Sequence, residues 1–169
     1  RGATVLVRVG HQRYGPTLAG PDTVTGTRAI RRGSASTAPD TAGLRLVRRT
    51  LDDCDWSTLD AYPDRVVFQT RPWLEFLQAT QHAEPVVAEV RRGEESVGWF
   101  TGAVVRRFGI PILGSPFAGW TTAWMGFNLQ PDVPRWQAVD ALVAFAFKDL
   151  GCLHVELRDR LLEAPDVAQ

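Results

Sequence analysis

Three strand-like runs follow one another between Pro85 and Gly114, and no other feature so narrows what this chain can fold into. Residues 85–91 (PVVAEVR) and 96–107 (SVGWFTGAVVRR) are rich in valine and aromatic side chains, with Arg92-Gly93-Glu94-Glu95 between them. A gap of hairpin length pairs its neighbours antiparallel. Phe108-Gly109 is a second tight turn, leading into Ile110-Pro111-Ile112-Leu113-Gly114. The segment therefore predicts a three-stranded antiparallel meander. Pro111 has no N–H to give to a ladder, so it belongs at a strand start or a splayed position. Gly98 and Gly102 fall on one face of the middle strand, where either a helix packs closely or the strand bulges.

A meander needs apolar cover, and two helical patterns supply it. Thr70 is placed to cap a helix over 71–80, with Pro72 in its first turn and Trp73, Phe76, Leu77 and Thr80 along one face. A longer helix is expected from about Pro134 to Leu150, between Asp132 and Gly151. Its apolar arc (Trp136, Val139, Val143, Ala146, Leu150, widened by Leu142, Phe145 and Phe147) leaves only Gln137, Asp140, Ala144 and Lys148 for solvent. An arc so wide must lie flat on a sheet. Residues 152–157 (CLHVEL) read as a further strand and residues 44–49 as a first, edge strand. Residues 52–60 read as an acidic turn around Trp56, residues 66–68 as a short extended run, and 115–130 as loop. The order β, α, βββ, α, β is that of an α+β mixed sheet rather than a doubly wound fold.

At 169 residues and about 150 per domain, the chain has room for one folded unit. Residues 1–43 hold no lasting apolar period and many turn formers, as in Tyr14-Gly15-Pro16 and Gly33-Ser34-Ala35-Ser36. They are expected to be a disordered or over-extended N-terminal segment before a lobe at 44–169. Six arginines against Asp22 and Asp40 give that segment +4, which leaves −4 for the remainder because the net charge is zero. A mildly acidic body offers no broad basic face, so DNA is not an expected partner. No apolar run approaches the ~18 residues of a transmembrane segment. Cys54 and Cys152 stand far apart, which excludes zinc ribbons and disulfide scaffolds and favours a reducing compartment. Residue 1 is Arg, so a fragment or processed form is expected.

Chemistry is concentrated in residues 114–127 (GSPFAGWTTAWMGF), where four aromatics, three glycines and three hydroxyls lie between a strand and a helix. Glycines let backbone N–H groups approach a ligand, and indoles give flat walls with one donor each. Ser115, Trp120, Thr121, Thr122 and Trp124 are the candidate substrate-binding residues, against the plainer reading of a rigid core loop. Ser115 is no hydrolase elbow, since Pro116-Phe117 follows it. Arg106-Arg107-Phe108-Gly109-Ile110-Pro111 looks like a phosphate turn but precedes a strand, so it reads as a hairpin. On the last strand His154 and Glu156 share a face opposite Val155 and Leu157, with Arg158 and Asp159 beyond. His154 and Glu156 are the candidate acid–base pair and Arg158 a candidate anion contact, against an ordinary half-exposed strand face. His11 and His82 fit no metal spacing, and no metal is expected.

The chain resembles the N-terminal lobe of a Fem-like protein of the GNAT (N-acetyltransferase-like) superfamily. The likeness rests on Phe68-Gln69-Thr70 with Trp73-Leu74-Glu75-Phe76-Leu77, on Glu84-Pro85-Val86-Val87-Ala88, and on Val97-Gly98-Trp99-Phe100-Thr101-Gly102. It continues through Gly114-Ser115-Pro116-Phe117, Trp120-Thr121-Thr122 and His154-Val155-Glu156-Leu157, and covers about residues 44–160. The resemblance implies a GNAT-like mixed sheet whose central strands splay into a wedge, incomplete at the C-terminus. It implies acyl or aminoacyl transfer to an amine or hydroxyl of a cell-wall or polysaccharide precursor, within a larger two-lobe enzyme. Acyl-CoA or aminoacyl-tRNA would be donor for the complete enzyme, with no cofactor held by this lobe, inactive alone and missing a C-terminal lobe as partner. The location implied is cytoplasmic or peripheral at the inner membrane face. The chain departs from the family where Phe117-Ala118-Gly119-Trp120-Thr121-Thr122 stands in place of the Arg-x-x-Gly-x-Gly/Ala donor turn. This lobe is therefore expected to bind acceptor rather than donor, or nothing. The competing class is a non-catalytic glycan- or ligand-binding module that stacks Trp120, Trp124 and Phe127 on sugar rings.

Overall fold

A computed structural model of the chain describes the backbone of residues 3–8 and all of residues 43–162. The strands are β1 (Ala3–Arg8), β2 (Leu44–Arg49), β3 (Glu84–Arg92), β4 (Glu95–Arg107), β5 (Ile110–Ser115), β6 (Gly126–Leu129) and β7 (His154–Asp159). The helices are α1 (Trp56–Asp60), α2 (Arg71–Gln81) and α3 (Arg135–Lys148). All strands join one sheet in the order β1-β7-β5-β4-β3-β2, with β6 placed against β4. The meander β3-β4-β5 is present as expected, and β2 is an edge strand paired to β3. The fold is α+β with a mixed sheet.

The thirteen residues of β4 carry the plan. One edge pairs with β3 over residues 95–104. The other edge is divided: residues 103–107 pair with β5, and residues 98–101 pair with β6. On its other edge β5 runs parallel to β7, residues 112–115 with 154–157. Both β5 and β6 are antiparallel to β4, so β5, β6 and β7 all point the same way.

Alternation then builds a core on each face. Val86, Ala88, Val90, Phe100, Leu113, Val155 and Leu157 turn toward Ala138, Leu142, Phe145 and Ala146 of α3. On the other face Val87, Trp99 and Met125 meet Leu59 of α1 and Leu74 and Leu77 of α2. The close approach foreseen at Gly98 is made by β6, not a helix: a Cβ there would lie 2.6 Å from the Asn128 carbonyl oxygen.

Several expectations are corrected. Residues 52–60 include α1, capped by Asp55, which takes the Thr58 N–H at 3.1 Å and the hydroxyls of Ser57 and Thr58. Those bonds, Ser57 foremost, hold the Asp55 carboxyl down at about 2. At five residues α1 is too short to show a period. The extended run at 66–68 is a 3-10 turn, Val67–Gln69, closed by the Gln69 side chain accepting the Val66 N–H at 3.0 Å. On α2 the buried positions are Leu74 and Leu77, while Phe76 stays 45% exposed. Thr70 holds the cap position but turns its hydroxyl to the Val67 carbonyl. The stretch 115–130 contains β6. Most of the segment expected to be disordered, residues 1–43, lies outside the described residues, but Ala3–Arg8 form β1. That strand pairs antiparallel with β7, so the last strand is not left as an edge.

Two outcomes follow. Deleting residues 1–8 should bare the β7 edge and cause concentration-dependent association, measured by light scattering. Gly98→Ala should cost about 1–3 kcal/mol in denaturant unfolding, because β6 cannot retreat without losing its pairing.

Candidate functional site

The aromatic loop and the last strand do meet. Glu156 accepts the Ala118 N–H at 3.2 Å, and its other oxygen lies 3.4 Å from His154 Nε2. His154, Glu156 and Arg158 are all half-buried on one face of β7. Ser115 is fully buried and donates to the Thr101 carbonyl at 2.5 Å, so here it pins the end of β5 instead of facing open space. Thr122 is buried too and accepts the Trp73 indole N–H at 3.1 Å. Thr121 is exposed, and Trp120 and Trp124 are half-buried. Trp120 leans on Phe117 with ring centroids 4.9 Å apart and packs against the α1–α2 core. These contacts tie the loop down.

An open cleft among the described residues lies elsewhere, and none of those residues lines it. It is a cleft of about 670 Å³ beyond the carboxyl end of β7, between α1 and the turn after it, the end of β6 and the start of α3. Tyr62, Asp64, Gln130, Val133, Arg135 and Leu161 give its character: an apolar wall with a few polar groups. Parallel strands joined by a crossover helix leave such a crevice at their carboxyl ends, because the connections diverge there.

Its floor is a buried charge network. Asp159, 2% exposed, ends β7. One of its oxygens accepts the Phe127 N–H at 2.8 Å and Arg135 Nη1 at 2.7 Å; the other accepts the Leu161 N–H at 2.8 Å. Arg135 Nη2 reaches Asp64 at 2.9 Å, and Asn128 donates to the second Asp64 oxygen at 2.9 Å. Gly126, at φ +98°, makes room: a Cβ there would sit 2.7 Å from Asp159 Oδ2. Burial pushes the Asp159 carboxyl above its ordinary value, with Arg135 and the two backbone N–H groups opposing. Tyr62 is pushed up by burial and then by Asp64 and Glu89, so its phenol remains a donor at neutral pH. Two carboxylates share one guanidinium. An ionised carboxyl offers about four acceptor positions, so Asp64 keeps capacity for a donor in the cleft.

Neither thiol is a ready nucleophile, since burial pushes Cys54 up to about 11 and raises Cys152 as well. Among the described residues no group of three His, Cys, Asp or Glu is placed to hold a metal. Sequence reading missed this cleft because Asp64 and Asp159 stand 71 and 24 residues from Arg135. One signal was present. Alternation along β7 puts Asp159 on the same face as Val155 and Leu157, and a carboxylate on an apolar face requires a cation.

Arg135→Met should therefore cost about 3–5 kcal/mol at pH 7, because it leaves Asp159 buried without its cation. The sign with pH follows from the raised value: protonation of folded Asp159 is favoured, so the loss should shrink as the pH falls through that carboxyl's titration. Denaturant unfolding at neutral and acid pH checks both.

Compared with known proteins, the chain matches no family model, no curated protein and no solved structure, so fold and cleft are the ground on which its function has to be argued.

Proposed function

We propose that the chain is the acceptor-binding lobe of an acyl-transfer enzyme and that the acceptor lies in the cleft beside Tyr62, Asp64 and Gln130. The cleft itself carries the reading: about 670 Å³, mostly apolar, with a neutral phenol and a carboxylate at its floor. That mixture suits a small polar molecule bearing an amine or hydroxyl, such as a cell-wall or polysaccharide precursor. The meander, the crossover helix and the parallel last strand support the reaction class, through the GNAT-like order of elements. Acyl-CoA or aminoacyl-tRNA would be the donor, held by a second lobe.

Transfer needs little covalent help from this lobe. The acceptor nitrogen attacks the acyl carbon, the donor's sulfur or oxygen leaves, and the nitrogen's proton is passed to water or to the leaving group. The lobe's contribution is orientation, with Asp64 accepting a hydrogen bond from the nucleophile and Tyr62 donating to a neighbouring oxygen. His154 and Glu156 lie roughly 10 Å or more along β7 from Asp159, on the evidence of strand spacing, so the reading moves the acceptor away from them.

A glycan-binding module is the second reading, favoured by the half-exposed Trp120 and Trp124 beside exposed Thr121. Calorimetry with glucosamine, and with N-acetylglucosamine as its amine-blocked control, separates the two. Under the proposal glucosamine binds better than the control, and Tyr62→Phe weakens it about threefold to tenfold without changing the unfolding midpoint. Unchanged binding in Tyr62→Phe, with loss in Trp120→Ala, would transfer the site to the aromatic loop. Glucosamine acylation should appear only when the second lobe and acetyl-CoA are present.

A further inference from the structure

At the opposite end of the sheet from the cleft, the β4–β5 turn breaks a local rule. Arg107 and Ile110 are paired, so the connection is the two residues Phe108 and Gly109, at φ +52° and +80°. Such turns take Asn, Asp or Gly, since a bulky side chain at positive φ is strained. Phe108 is fully exposed, so the fold's own packing gains nothing from the phenyl ring. Two further apolar side chains flank it. Ile110 is 43% exposed and Leu153 47%, and the Leu153 N–H to the Pro111 carbonyl at 3.1 Å sets Leu153 beside β5.

The charge around this tip is mainly positive. Arg106 and Arg107 are exposed, and among the described residues no side-chain hydrogen bond or ion pair engages either guanidinium. Exposed Lys148 closes α3, which leads into Leu153, with Asp149 as the one nearby acid in that connection. Arg48 and Glu84 at the same end neutralise each other at 2.5 Å. Two exposed arginines thus adjoin a projecting aromatic, with Lys148 on the connection that leads to Leu153.

We propose that this hairpin tip seats on an anionic lipid surface, with Phe108 inserted among the headgroups and Arg106, Arg107 and Lys148 on the phosphates. The charge pattern supplies the long-range attraction, and the apolar group at the point supplies the insertion. Three exposed apolar side chains are too few for a stable protein interface, which buries well over 1,000 Å² in the usual case, at about 800 Å² a side. The proposal is independent of the cleft, because its residues and its readout are different.

The test is co-sedimentation of the full 169-residue chain with phosphatidylglycerol-containing vesicles and with pure phosphatidylcholine vesicles. Binding to the first alone, released by added salt, is expected. Phe108→Asn should weaken it by about tenfold or more while raising resistance to denaturant, since Asn relieves the positive φ. Arg107→Gln should weaken it about fivefold. Absence of binding to the anionic vesicles, or undiminished binding by Phe108→Asn, would overturn the proposal. So would lipid-free self-association that Phe108→Asn abolishes, which would give the tip to a second copy of the chain.

Discussion

Asp159 is a carboxylate buried at the end of a strand, and the fold is arranged around keeping it paired. Arg135 comes from the first residue of α3, Asp64 from the turn after α1, and the two backbone N–H groups from β6 and from the turn after β7. The α3 start, β6 and the turn after β7 therefore converge on one oxygen pair, and the α1 turn joins them through Arg135. Apolar contacts alone would let these segments slide against one another. Hydrogen bonds to a charge do not, because any shift leaves a buried polar group unmet.

The same network explains why the cleft has its position and its chemistry. It fixes the helix start, the β6 end and the α1 turn that form the walls, and its outer members, Asp64 and Arg135, face the opening. Under the proposed function, structural and binding duties fall on the same side chains. A substitution there changes shape as well as binding, and Tyr62, outside the charge network, is the cleaner probe of the latter.

The regular parts of the fold were legible in the amino-acid order because they are local. The valine runs, the two tight turns and the wide arc of α3 each announce themselves within twenty residues or so of chain, by period and punctuation. What escaped was short or distant. Four-residue β6 hides among aromatics and glycines that read as loop. Five-residue α1 has no period. β1, though its ATVLVR run is strand-like, sits among turn formers and has its partner at the far end of the chain. The aromatic loop was legible as unusual and does meet the last strand, but its Ser115 and Thr122 hydroxyls are spent on Thr101 and Trp73. Composition cannot tell a hydroxyl aimed at a ligand from one aimed at the backbone. Of the cleft only Asp159, a carboxylate on the apolar face of β7, left a trace, since its other charges come from unrelated stretches.

The pairing of β1 with β7 also sets an order of events during synthesis. β1 is made before the other described strands, yet Ala3 meets Asp159 and Arg8 meets His154, so its ladder waits until residues 154–159 are made. At about 5–20 residues per second, that wait is on the order of ten seconds. Throughout it the meander can form and take α2, while both β1 and the open side of β5 remain without partners. Until β7 has emerged, the growing chain is a half-closed sheet with a loose strand of its own at hand.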